Sequence, residues 1–178
     1  IGTGLPDGKE NEEILFKNIK KKQREFCLFL PLYDTTVNLQ IGLDDGSSFE
    51  NIIKKTKPLV FYGTSISQGG CASRPGLAHT NIIFRELGYE CVNLGFSGNG
   101  HLEKPIGTIM SDIDANLYVI ECMYNVDKKM IRERTGALIK SIRAKPQSKN
   151  IPIVFMEQVV IDKGHININF ISDIVEKN

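Results

Sequence analysis

Three short, largely apolar runs at residues 59–62, 90–94 and 117–122 most constrain the fold of this 178-residue chain. Each run ends in a polar or glycine-rich stretch and is followed by apolar residues at helical spacing. Short continuous apolar runs are typical of parallel strands that are covered on both faces. A fourth run at 151–160 and a closing helical pattern at 170–175 extend the alternation. We therefore predict an α/β fold, a three-layer α/β/α sandwich around a mostly parallel sheet.

The predicted helices have boundaries that the sequence marks. Apolar spacing predicts a helix over residues 76–87, and Gly88 suits a left-handed C-terminal cap. A second helix is predicted behind Pro105. Asp127 suits the positive end of a third helix, whose apolar face runs from Ile131 to Ile142.

The N-terminal part of the chain follows a different pattern. After an irregular lead-in, apolar side chains alternate over residues 26–30 and again over 37–43, with a polar turn at 34–36. This period of two predicts a short β-hairpin with one buried face. We therefore expect two units, the lead-in with its hairpin over residues 1–50 and the α/β domain over residues 51–178.

The charge balance argues against nucleic acid and membranes as partners. The chain has 22 basic and 21 acidic residues, and its net charge of +1 gives no broad field to attract polyanions. No apolar stretch approaches the ~20 residues that a bilayer span needs. No signal peptide is visible, but the chain begins with Ile1 rather than Met, so we expect a processed or trimmed product.

The four cysteines, Cys27, Cys71, Cys91 and Cys122, are scattered, and their spacing indicates neither zinc nor a redox pair. Most lie in or beside apolar runs, where a thiol usually packs as a small core residue. Their even number leaves a disulfide open. A cysteine-based acyltransferase that uses Cys71 or Cys122 would need a base that the sequence does not provide.

The turn Gly63-Thr64-Ser65 follows the first apolar run directly and leads into a short helix-compatible stretch. A strand that passes through a Gly-x-Ser turn into a helix places a hydroxyl at the carboxyl edge of the sheet, where α/β folds keep reactive groups. Ser65 is therefore a candidate nucleophile. The alternative is an ordinary loop in which a hydroxyl caps the helix.

Three further blocks accompany Ser65 in chain order: a glycine-rich stretch at 93–100, Asn125 after the third run, and Asp162 with His165 near the end. Together they resemble the SGNH/GDSL hydrolase superfamily, in which four blocks supply a Ser, a Gly, an Asn and an Asp-x-x-His. Residues 62–76, YGTSISQGGCASRPG, resemble a branch of bacterial hydrolases that are similar to carbohydrate esterases. The resemblance covers roughly residues 24–178 and implies a flavodoxin-like SGNH fold.

The resemblance implies a serine esterase with a Ser-His-Asp triad. His165 would take the proton of Ser65, and Asp162 would orient the imidazole. The resemblance assigns the oxyanion hole to the backbone N–H groups of Ser65 and Gly98 and to the side-chain amide of Asn125. It calls for no metal and no organic cofactor.

The expected reaction is removal of a short acyl group, acetyl above all, from a carbohydrate or a similar polar ester. The substrate would be a small molecule or a polysaccharide, with Arg74 and His101 as further candidates for contact with it. The resemblance also suggests a secreted or periplasmic protein. The sequence does not indicate an oligomeric state.

Each block also has a purely structural interpretation. Gly98 and Gly100 could only shape a turn, Asn125 could cap a helix, and Asp162 with His165 could lie in a surface coil. The corresponding alternative function is a non-catalytic module of the same fold that binds glycan or protein.

The connection before Asp162 bears on this alternative. Val160 is followed almost at once by Asp162, whereas the resembling family usually has a further strand and a long loop there. Either the protein lacks that strand, or the sequence joins two pieces across a segment that it does not contain. We favour the second interpretation and expect a chain break between Val160 and Asp162.

Overall fold

The computed structural model describes residues 8–52 and 56–157. Within these ranges the chain forms a parallel α/β unit, in which a single 3₁₀ turn at Pro75–Leu77 precedes the second helix. In chain order its strands and helices are β1 Leu59–Gly63, α1 Ser65–Gln68, α2 His79–Leu87, β2 Cys91–Gly95, α3 Lys104–Ser111, β3 Leu117–Glu121, α4 Lys128–Ile142 and β4 Ile153–Phe155.

The four described strands form one parallel sheet in the order β2-β1-β3-β4. Strand β1 pairs with β2 and with β3, so that Gly63 lies level with both Gly95 and Glu121. Because all the strands point the same way, the loops that follow β1, β2 and β3 leave at one edge of the sheet. The predicted parallel sheet is confirmed.

Helices flank this sheet. Phe61 of β1 meets the His79 ring of α2 edge-on, with 5.5 Å between the ring centroids. Val60 and Tyr62, which point to the opposite face, are fully buried with side chains of α3 and α4. This main core cluster includes Met110, Tyr118, Ile120, Leu138 and Ile142.

Most predicted helix ends agree with the structure. Gly88 ends α2 in the left-handed region at φ +74°, and the Asp127 side chain caps α4 by accepting from the Met130 N–H at 2.8 Å. Strand β4 is shorter than predicted, since Ile153–Phe155 is followed by two non-strand residues. The rest of that run and the predicted closing helix lie outside the described residues.

The predicted N-terminal hairpin is wrong for the described residues, because 8–52 contain neither helix nor strand. The alternating side chains that it was expected to bury are exposed, for example Leu28 at 46%, Val37 at 92% and Leu39 at 51%. Two strands alone are marginally stable in water and need a third strand or a packed face. Periodicity indicates which side chains could share a face, but it supplies no partner to cover that face.

None of the described helices is long and apolar enough to cross a bilayer.

Candidate active site

The first component of the site is the turn that joins β1 to α1. Thr64 is the N-cap of α1, and its Oγ1 accepts a hydrogen bond from the Ile66 N–H at 3.2 Å. Ser65 is the first helical residue and is half-buried. Gly69 ends this single turn in the left-handed region at φ +103°. Ser65 therefore lies at the carboxyl end of a central strand, as predicted.

The glycine-rich loop after β2 packs directly against this turn. The Phe96 N–H donates to the Gly63 carbonyl at 2.9 Å. Gly100 has φ +76°, and a Cβ there would lie 2.4 Å from the Gly63 carbonyl oxygen. Gly98, at φ +69°, is exposed on the same loop. The close approach requires glycine at position 100, and it brings the loop beside the Ser65 turn.

Asn125 joins the same loop from the end of β3. Its Nδ2 donates to the Asn99 carbonyl oxygen at 2.5 Å. Since Asp127 caps α4 through the Met130 N–H, Asn125 does not serve as that cap. A side-chain amide has two N–H donors, and the Asn99 carbonyl uses one of them.

Two backbone N–H groups at this edge are also without an acceptor in the described chain. Across residues 8–52 and 56–157, no acceptor is bonded to the N–H of Ser65 or Gly98. Their neighbours are satisfied, because the Ile66 N–H is bonded to the cap and the Ser97 N–H donates to Gln68 Oε1 at 2.7 Å. Ser65, Gly98 and Asn125, which the sequence singled out, thus each have a polar hydrogen without an acceptor in the described chain, on loops that leave the same edge of the sheet.

The proposed base and its orienting carboxylate are not in the described part of the chain. Asp162 and His165, like the expected break after Val160, lie beyond residue 157. Their roles stay predictions.

The two candidate substrate contacts lie in different settings. Arg74 is exposed at the start of the 3₁₀ turn. His101 follows Gly100, so it adjoins the glycine-rich loop, and its Nδ1 lies 3.5 Å from Glu103 Oε1. Its carbonyl oxygen accepts from Arg134 Nη1 at 2.9 Å. His101 is therefore held near the site by backbone and side-chain contacts.

A buried tyrosine fixes the far end of the same loop. The hydroxyl of Tyr62 donates to Glu103 Oε2 and accepts from the Glu103 N–H at 3.0 Å. Burial, aided by this carboxylate, raises the pKa of Tyr62 well above its ordinary value. Burial opposes ionisation of Glu103 as well, but hydrogen bonds from Tyr62 and the His101 N–H outweigh it and lower the pKa of Glu103.

The sequence did not predict the contacts by which two polar residues, Gln68 and Glu121, organise this part of the chain. Gln68 bridges two segments, since its Nε2 donates to the Leu32 carbonyl at 3.1 Å while its Oε1 accepts from Ser97. Glu121 is 4% exposed at the end of β3. A charged residue at the end of an otherwise apolar strand is a sequence feature that could have identified Glu121.

The structure weakens the case for a cysteine nucleophile. Cys122 is fully buried, and burial raises the pKa of its thiol to about 12. Burial likewise raises the pKa of Cys91 to about 11. Among the described residues, moreover, no cluster of three His, Cys, Asp or Glu side chains could hold a metal ion.

Alkylation with iodoacetamide at pH 8 should separate the four thiols. We expect the exposed Cys27 and Cys71 to react first, because Cys91 and Cys122 are covered to a greater extent and remain protonated well above pH 8. Peptide mass spectrometry after timed quenching gives each rate, with protein unfolded in urea as the control. Native Cys122 reacting as fast as Cys71 would contradict the buried position of Cys122.

A parallel α/β sheet with a serine hydroxyl at a helix start, beside N–H donors that have no acceptor in the described chain, has features that serine hydrolases use. The chain matches the GDSL-like lipase/acylhydrolase family over residues 56–178. It also matches the N-terminal segment of SGNH-hydrolase-type esterases over residues 2–49. The chain therefore belongs to the GDSL-like lipase/acylhydrolase family, a family of ester hydrolases, and the resemblance inferred from its sequence blocks is confirmed.

Solved structures share this fold. A protein described as a GDSL-like lipase from Bacteroides ovatus is 32% identical, with a TM-score of 0.61 over 68% of this chain and 39% of that one. The salicylyl-acyltransferase SsfX3 of a tetracycline biosynthetic pathway is 20% identical, with a TM-score of 0.54 over 62% and 32%. CEX, a two-domain esterase active on acetylated mannans, is 16% identical, with a TM-score of 0.54 over 68% and 35%.

The chain thus spans between 32% and 39% of the length of these three relatives. A comparison with curated proteins gave no match.

Proposed function

We propose that this protein is a serine esterase that removes a short acyl group from a polar ester. The observation that carries the proposal is that Ser65, Gly98 and Asn125 lie on loops at one edge of the sheet, and that within the described residues each keeps an N–H donor without an acceptor. Ester cleavage passes through a tetrahedral intermediate with a developing negative charge, and donors already in place stabilise it. Family membership supports the same chemistry.

In the proposed mechanism Ser65 Oγ attacks the ester carbonyl carbon while His165 takes the hydroxyl proton. Asp162 holds the imidazole and stabilises its charged form. The carbonyl oxygen becomes an oxyanion, which the N–H groups of Ser65 and Gly98 and the Asn125 amide would bind. His165 then protonates the departing alcohol. In the second half of the reaction His165 takes a proton from water as the water oxygen attacks the acyl carbon, and it returns that proton to Ser65 Oγ as the carboxylic acid leaves.

The proposed substrate is an acetyl ester of a carbohydrate or a similar polar alcohol. This preference comes from the sequence resemblance, and CEX, the neighbour active on acetylated mannans, is compatible with it. Arg74 is exposed, and no acceptor within residues 8–52 and 56–157 occupies its guanidinium, so it can contact sugar oxygens. His101 is the second proposed contact.

A fluorophosphonate probe tests the proposal, because it reacts only with a serine that a base has activated. We expect one adduct, located by peptide mass spectrometry on the peptide that contains Ser65. The Ser65→Ala variant is the control and should not be labelled. An unlabelled wild-type protein would favour the alternative function, a non-catalytic module that binds glycan or protein.

A further inference from the structure

Within the described part of the chain, Glu121 is a buried carboxylate without a cationic partner. It lies at the end of β3 and forms no ion pair with any described residue. The His79 imidazole does not compensate its charge, because burial lowers the pKa of His79 although the Glu121 charge acts to raise it. Buried charges are usually paired or hydrogen-bonded, so the hydrogen bonds of Glu121 must stabilise it.

Among residues 8–52 and 56–157, all of those hydrogen bonds come from the turn that carries Ser65. Glu121 Oε2 accepts from Thr64 twice, from Oγ1 at 2.8 Å and from the N–H at 3.2 Å. It also accepts from Ser67 twice, from Oγ at 3.0 Å and from the N–H at 3.2 Å. Thr64 and Ser67 are both fully buried. One carboxylate oxygen therefore holds the residues on both sides of the candidate nucleophile.

This pattern decides which N–H of the turn is left for a ligand. Helix starts present several N–H groups without partners inside the helix. Here Glu121 accepts from those of Thr64 and Ser67, and the Thr64 side chain accepts from that of Ile66. Among the described residues, the N–H of Ser65 alone in this turn has no acceptor. We infer that Glu121 is a positioning residue that fixes the Ser65 turn for catalysis.

The space around Glu121 fits this role. A Cβ on Gly63 would lie 2.8 Å from Glu121 Oε2 and 2.3 Å from Ser67 Oγ. The carboxylate thus packs directly on the backbone of the turn, which has no room to shift towards it. Small displacements of a reacting group reduce rates strongly, so a rigid turn benefits catalysis.

The second oxygen of Glu121 argues against a role in stability alone. Oε1 is buried and has no hydrogen-bond partner within the described chain. An unsatisfied buried oxygen destabilises a fold, and well-packed apolar side chains often fill such sites without that penalty. An apolar side chain at this position could not accept the four hydrogen bonds that Glu121 Oε2 receives.

The inference rests on the proposed function, and its test compares two matched threonines. Thr64→Val removes the 2.8 Å bond to Glu121 together with the 3.2 Å cap bond from the Ile66 N–H, whereas Thr135→Val removes a bond of 2.7 Å to the Ile131 carbonyl within α4. Both threonines are almost fully buried, at 0% and 1% exposure. Glu121→Gln keeps the shape of the side chain and removes its charge. Thr64→Ser keeps the hydroxyl and serves as the rescue variant.

The measurements are kcat and KM for p-nitrophenyl acetate, the labelling rate of Ser65 by the fluorophosphonate, and folding by circular dichroism. We expect Glu121→Gln and Thr64→Val to lower kcat and the labelling rate about 10- to 100-fold, with KM little changed. Thr64→Ser should restore the rate. Thr135→Val should lose stability but keep its kcat.

The outcomes separate this inference from the proposed function. A labelled wild type together with a normal kcat in folded Glu121→Gln would reject the positioning role and leave the esterase intact. If Glu121→Gln does not fold, Thr64→Val decides, and a normal kcat there rejects the inference. A wild type that the probe does not label rejects the proposed function, and the inference with it.

Discussion

Replacing Ser65 with alanine is expected to abolish ester hydrolysis while the protein stays folded. The proposed nucleophile supplies the oxygen that bonds to the acyl carbon, and loss of a triad member typically lowers the rate by several orders of magnitude. Ser65 is half-buried in a turn, and no hydrogen bond within the described chain uses its hydroxyl, so the fold should tolerate the change. Initial rates with p-nitrophenyl acetate and a thermal melt measure the two effects.

Ser47 offers a matched control for this substitution. It is an exposed serine in the turn at residues 44–47 of the N-terminal segment. Ser47→Ala should change neither the rate nor, by more than about 0.5 kcal/mol, the stability. Turnover by Ser65→Ala at the wild-type rate would reject Ser65 as the nucleophile.

Much of the fold can be predicted from the sequence because the apolar runs at 59–62, 90–94 and 117–122 are compatible with few structures other than buried strands. Buried parallel strands need continuous apolar side chains, and the intervening residues have helical spacing. Once the strands are parallel, the residues that follow them must share one edge. The gathering of Ser65, Gly98 and Asn125 at one edge is therefore a consequence of topology, although their catalytic roles stay predictions.

The N-terminal segment shows the limit of pattern reasoning. Leu28 and Leu30 alternate in sequence, and so do Val37 and Leu39, yet all four are exposed. An alternating run forms a strand only when another element covers its apolar face. That information is not contained in the run itself.

The polar contacts around the site were unpredictable for a different reason. Glu121 and Thr64 are 57 positions apart, and Tyr62 and Glu103 are 41 apart. A buried hydrogen bond between distant residues depends on side-chain geometry after folding, which no local pattern encodes. The sequence marks such residues only as polar groups in apolar surroundings.

Removing the Asn125 side chain is expected to affect the chemical step specifically. If the amide stabilises charge only in the transition state, Asn125→Ala should lower kcat by about 10²- to 10³-fold with KM much less affected. Its bond to the Asn99 carbonyl would also be lost, so the loop that carries Gly98 must be checked for order. Steady-state kinetics and a thermal melt of the same preparation provide both measurements.

Asn116 separates the two contributions of Asn125, because its side chain makes a comparable bond at the opposite edge of the sheet. Asn116 Nδ2 donates to the Lys57 carbonyl at 2.9 Å, just before β3 begins. Asn116→Ala should cost about 1 kcal/mol of stability and leave kcat unchanged. A loss of stability with normal kcat in Asn125→Ala as well would mean that Asn125 only secures the loop. The oxyanion would then have to be stabilised by the backbone N–H groups of Ser65 and Gly98 alone.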